Sequence, residues 1–123
     1  MIEIGWSKSF SGVTVCLRGR QLTSEFLEIP TLLMGRCRQE QPLKVLFDWA
    51  ELEYLRLTTE DTLRVEEWIR IGGSIERAAI IHHHRWNRSA AWLAAALRLG
   101  GSEVHSFRET EFSKALDWLI ASG

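Results

Sequence analysis

The sequence predicts an α/β fold of the order β-β-α-β-α-β-α-β-α. A mainly parallel sheet with an antiparallel first strand carries packed helices, and residues 1–123 form one domain. Three observations predict this. Two β-type runs at the start stand only about five residues apart, a hairpin distance too short for a crossover helix. Apolar runs at 43–47 and 78–81 are short and nearly continuous, as in strands covered on both faces. Amphipathic stretches between and after them are closed by the glycine pairs Gly72-Gly73 and Gly100-Gly101.

The elements follow in order. Residues 2–6 form the first strand and 8–12 a polar turn closed by glycine. Val13, Val15 and Leu17 then alternate with Thr14, Cys16 and Arg18, the period of a strand with one buried face. Thr23 and Ser24, followed by Glu25, mark a helix start, where hydroxyls accept orphan amides and a carboxylate suits the positive end of the dipole. Phe26, Ile29, Leu33 and Cys37 share a face of that helix, and Pro30 is expected to kink it or to end a short first segment. Beyond Asp48 and Trp49 an irregular stretch is expected as far as Leu57.

Thr58 with Asp61 makes a capping box that opens a helix running through Ile71. Glu60 with Arg64 and Glu66 with Arg70 pair on its outside, while Leu63, Trp68 and Ile71 face inward. Gly72-Gly73 is expected to stop it through a left-handed cap. Residues 86–99 are helical, 104–107 form the last strand, and 111–121 a final helix with Phe112, Leu116, Leu119 and Ile120 as its buried stripe. Strict alternation after the hairpin requires right-handed crossovers. Ligands of such sheets gather beyond the carboxyl ends of the strands, here the loops beginning at Gly19, Asp48, His82 and Phe107.

Composition sets the function classes. Hydrophobic residues make up 46% and charged residues 25%, ordinary globular usage. A net charge of −1, from 15 basic and 16 acidic residues, gives no field to attract nucleic acid or an anionic membrane. No apolar stretch reaches the roughly 20 residues that cross a bilayer, and no secretory signal is read at the start. Cys16 and Cys37 lie outside any CxxC or metal-type spacing, so free thiols in a reducing, cytoplasmic setting are expected.

The element order, Gly19-Arg20-Gln21-Leu22-Thr23 after the second strand, Asp48-Trp49 after the third, Ala79-Ile80-Ile81 followed by Arg85-Trp86, and Phe107 leading into Ala115-Leu116-Asp117-Trp118-Leu119 together resemble the SpoIIAA-like family. These are small bacterial proteins with the STAS-type fold of anti-sigma-factor antagonists. The resemblance implies a non-enzymatic domain that works through its surface. Regulatory STAS domains carry a phosphorylatable serine in an Asp-Ser-type motif after the third strand. The matching Leu57-Thr58-Thr59-Glu60-Asp61 lacks that serine and its glycine, so Thr58 and Thr59 are read as helix caps ahead of phosphoacceptors.

The most unusual local feature is His82-His83-His84-Arg85-Trp86-Asn87-Arg88 at the carboxyl end of a central strand. Neutral imidazoles ligate transition metals. In an extended segment only His82 and His84 share a face, and topology offers just His105 and Asp48 as a third ligand, so no metal and no cofactor is assigned. His83, Arg85 and Arg88 at a helix start suit an anion, although an exposed basic turn is the commoner arrangement. No Gly-x-Ser-x-Gly turn, P-loop or cysteine with a partner histidine is present, and no catalytic residue is assigned. Among six tryptophans, Trp68 and Trp118 fit buried helix faces. Trp92 with Ala95 and Leu99 lies on a helix apolar all round, which needs a second cover from the same chain, a partner or a ligand. The first functional reading is therefore an interaction module that binds a protein partner, or itself as a homodimer, through this helical face. The alternative is a carrier or sensor of a small apolar or anionic ligand near Asp48, Trp49, His82, His84, Arg85, Trp86 and Arg88.

Overall fold

The computed structural model describes residues 2–21, 23–36, 43–55 and 65–121. Strands β1 (Ile2–Ser7) and β2 (Gly12–Leu17) form the antiparallel hairpin, with Ile4 opposite Val15 and Trp6 opposite Val13. Gly12 is needed at its turn because a Cβ there would collide with the Lys44 carbonyl and the Phe10 ring. The register then runs parallel from β2 to β4 (Leu43–Asp48), β6 (Ile75–His82) and β7 (Glu103–Arg108), giving the order β1-β2-β4-β6-β7. Hairpin, alternation and parallel sheet stand as expected, with β6 and β7 longer at both ends than their apolar cores suggested.

Two short strands, β3 (Gly19–Gln21) and β5 (Leu52–Leu55), pair in parallel as a second sheet, where an irregular stretch was expected after Trp49. Each continues the chain just past the carboxyl end of a neighbouring sheet strand, β2 and β4, so the two tails meet in parallel. Gly19, at φ 64°, turns the first of them, and its amide bonds the Glu51 carbonyl at 3.0 Å. Leu52 and Leu55 are buried while Glu53 and Tyr54 are exposed, a spacing without the period of two that identifies strands in sequence.

Four helices are described: α1 (Thr23–Arg36), α2 (Val65–Gly72), α3 (Asn87–Gly100), which follows a 3-10 turn at His84–Trp86, and α4 (Phe112–Ile120). Pro30 does not end the first helix, which passes through it with Phe26, Ile29 and Leu33 buried on one face. Cys37, Leu63, the Thr58 and Asp61 capping box and the Glu60 with Arg64 pair lie outside the described residues.

Because the strand order climbs in one direction, right-handed crossovers bring α1, α2 and α3 to the same face of the sheet. They cover Val13, Val15, Val45, Phe47, Ala78 and Ile80 with Phe26, Trp68, Leu93 and Leu97. Helix α4, after the last strand, crosses to the other face. There Ala115, Leu119 and Phe10 cover Leu46, Ala79 and Ile81. The expected stripe of α4 is thus corrected: Leu119 is buried, but Phe112 and Ile120 are about half exposed, and Ala115 takes the inner position.

Gly72 and Gly73 do not adopt the left-handed cap; among the described glycines only Gly19 and Gly101 have positive φ. Gly72 is instead a close-approach residue. A Cβ there would sit 2.5 Å from the Leu97 carbonyl oxygen, and one at Gly100 would strike the Ile69 carbonyl and the Gly72 backbone. The two glycines let α2 and α3 cross almost backbone to backbone. Gly101, at φ 116°, is the left-handed cap of α3, its amide reaching the Arg98 and Leu97 carbonyls. No helix among the described residues is long and apolar enough to cross a membrane.

Candidate functional site

The strand ends hold the expected residues, but not in one place. Trp49 turns inward from the end of β4 and is 1% exposed, its ring 6.4 Å from Phe26. It belongs to the core and lines none of the crevices described here. Asp48 uses Oδ1 to accept the Ala50 amide at 3.0 Å. It borders a shallow groove of about 320 Å³ on the α4 side of the sheet, with Glu3, Gly5, Thr14 and Cys16.

The histidine run divides among three tasks. His82 is buried, and its Nδ1 lies 2.9 Å from the His83 carbonyl oxygen. His83 caps the 3-10 turn, its own Nδ1 accepting the Arg85 amide at 3.3 Å. His84 is exposed, its ring 4.0 Å from that of His83. His82 and His84 together line a crevice of about 520 Å³, completed by Asn87 of α3 and by Ser106, Phe107, Arg108, Glu109 and Glu111 from the end of β7 and the turn after it.

Arg85 points elsewhere. It borders a separate open groove of about 450 Å³ with Arg18, Glu51 and Glu53, and its guanidinium lies 5.6 Å from the Trp86 ring centroid. Trp86 is half-buried against the main core, and its indole N–H donates to the Leu52 carbonyl at 3.2 Å, tying the small sheet to the start of α3. Arg88 is exposed on the first turn of α3 and lines none of the three openings. A ligand held jointly by Trp49, His82 and Trp86 does not fit this geometry.

Neither third metal ligand suggested by topology comes near. His105 is on the α4 side, stacked on Trp118 at 4.6 Å, and Asp48 borders its own groove. Among the described residues no three His, Cys, Asp or Glu side chains are grouped to hold a metal. Cys16 is a half-buried free thiol. Burial pushes it above its ordinary value, while a hydrogen bond from Arg18 Nε, 3.4 Å away, opposes the rise. Arg18 also pairs with Glu51 at 3.1 Å and Glu3 at 3.8 Å.

The α3 stripe is partly covered from within. Trp92 is half-buried, its ring 6.4 Å from both Phe26 and Trp68. Ala95 is exposed and Leu99 is 73% exposed, so the outer part of the stripe is uncovered among the described residues. Trp68 is buried as expected, but Trp118 is only half-buried, with the Arg77 guanidinium 4.9 Å from its ring centroid.

Arg77 is the residue that sequence reasoning missed. It is 9% exposed, pairs with Glu103 at 3.1 Å, and donates to the carbonyls of Trp118 and Ala121 at the end of α4. A lone arginine just before an apolar run was the available signal.

Thr58 and Thr59 lie outside the described residues. A family model described as SpoIIAA-like matches residues 13–120. No curated protein matches the chain.

Proposed function

The chain belongs to the SpoIIAA-like family, and on that premise we propose that it is a non-enzymatic regulatory module of the STAS type. It works by binding a protein, either a partner or a second copy of itself, through the outer stripe of α3. One observation carries this reading: Leu99 stands 73% exposed on the same helical line as Ala95 and the half-buried Trp92. Spacings of three and four residues keep these side chains on one face, and an exposed aliphatic line rooted on a packed aromatic is the usual composition of an interface centre. Leu32 and Met34 of α1, each about half exposed, enlarge the apolar surface of the same helical layer.

The module is read as cytoplasmic and bacterial, one domain across residues 1–123, with no nucleic-acid partner and no membrane insertion. A net charge of −1 supports the first of these exclusions. The sequence Leu57-Thr58-Thr59-Glu60-Asp61 carries no serine, so regulation in this reading passes through binding and not through a phosphorylated serine.

The test is sedimentation or light scattering across a dilution series, together with capture of partners from a bacterial lysate. The wild type and Leu99→Glu are compared in both. Burying a leucine contributes about 1.5–3 kcal/mol, so Leu99→Glu is expected to weaken the complex about tenfold or more. A monomer at every concentration removes the self-association version. Equal capture by wild type and Leu99→Glu removes the α3 stripe altogether.

A further inference from the structure

Strands β2, β4 and β6 each lead to a helix on one face of the sheet, and β7 leads to α4 on the other. Where adjacent parallel strands send their connections to opposite faces, a crevice opens between those connections, and open α/β sheets bind ligands there. In this chain that place lies between the carboxyl ends of β6 and β7, where the crevice of about 520 Å³ is found. We propose that it binds a small hydroxy acid carrying a single negative charge, a site distinct from the α3 stripe and independent of it.

The register puts the recognising groups together. His82 is paired with Arg108 across β6 and β7, and Ser106, two residues earlier, shares their face. His82 is 8% exposed and lines the crevice. Its Nδ1 faces the His83 carbonyl oxygen, which only accepts, so Nδ1 carries a proton, and the Nδ1–H tautomer presents the lone pair of Nε2. Among the described residues nothing donates to Nε2. That acceptor belongs to a residue that lines the crevice, where a ligand hydroxyl can donate to it.

The charge balance selects the rest of the ligand. The Arg108 guanidinium has no carboxylate within ion-pair range among the described residues, and Arg108, Asn87 and Ser106 all line the crevice. Glu111 is already engaged, accepting from the Arg108 amide at 2.9 Å and from Lys114 at 3.4 Å. Glu109, also on the wall, repels a second negative charge. With Glu109 and Glu111 on the wall and Arg108 already acting on Glu111, at most one ligand carboxylate can be placed, against Arg108, and a polyphosphate cannot.

The experiment is an NMR titration of the full chain with sodium gluconate, with hexanoate (no hydroxyl) and inorganic phosphate run as competitors at matched ionic strength. Saturable shifts are expected at the His82 ring nitrogens, Asn87, Ser106 and Arg108, with hexanoate weaker and phosphate weaker still. The imidazole nitrogen spectrum of the free protein should show Nε2 of His82 unprotonated. Arg108→Met, an exposed change that leaves the core intact, should weaken gluconate about tenfold or more, the scale of a charge-assisted hydrogen bond. His82→Phe should erase the preference for gluconate over hexanoate while leaving the sheet resonances in place. An Nε2–H tautomer, equal binding of hexanoate, tighter binding of phosphate, or shifts centred elsewhere would each overturn the proposal. If His82→Phe fails to fold, Arg108→Met and the tautomer decide it alone.

Discussion

Gly72 and Gly100 show how one missing side chain positions a layer. Each leaves room for the backbone of the opposite helix, so Gly100→Ala pushes α2 off α3 and is expected to cost about 1–3 kcal/mol, as overpacking does. Gly35 in α1 has no described atom within 4 Å of where a Cβ would stand, so Gly35→Ala should stabilise by up to about 1 kcal/mol. Denaturant melts of the two variants should move in opposite directions. Cys16 supplies a pH dependence. Its thiol is raised, chiefly by burial, above the ordinary value of 9.0. The fold favours the neutral form, so this contribution is complete below that value and is lost as pH rises through the higher folded one. In a Cys37→Ser background, stability should fall more steeply above pH 9.0 than in Cys16→Ala, and thiol-reagent kinetics should show slow labelling at lower pH.

At the scale of elements, α4 is held from below. Its N-cap, Glu111, makes no side-chain capping bond, whereas its last turn is gripped by Arg77. Arg77→Met keeps the stem and loses the donors. At about 1–3 kcal/mol for hydrogen bonds lost from a part-buried site, amide exchange in α4 should speed up about tenfold or more while α3 amides keep their protection. Arg77→Lys should fall between, since an ammonium cannot reproduce the planar fork that reaches Glu103 and two carbonyls at once. Unchanged exchange in α4 would refute the clamp. The same scale shows what could be read from residues alone. Helices and sheet strands were legible because their periods of 3.6 and 2 are local. The β5 strand was not, because Leu52 and Leu55 are buried three apart by a neighbour, β3, more than thirty positions away in the chain. Pro30 misled for a related reason: packing of Phe26, Ile29 and Leu33 holds α1 together through a residue that weakens an isolated helix.

For the molecule as a whole, the climbing strand order explains both the thick helical layer and the thin cover opposite. It also explains why the candidate site was only half legible. That ligands belong beyond the strand ends followed from alternation. Which two loops form a crevice depended on α4 crossing to the other face, and no single residue announces that. His82 was singled out for its neighbours His83 and His84, whereas its own place is defined by Arg108 and Ser106 on the adjoining strand. The core aromatics carry one more consequence. The indole nitrogens of Trp49 and Trp68 are buried and, among the described residues, meet no hydrogen-bond partner, whereas Trp6 stands 60% exposed. Light emitted from an indole shifts to the red as the polar surroundings relax around its excited state. Trp49 and Trp68 should therefore glow at the blue end of the tryptophan range and Trp6 at the red end. A Trp6→Phe protein would be left with a bluer spectrum that reddens only when the core opens, a built-in optical gauge of folding that needs no added dye.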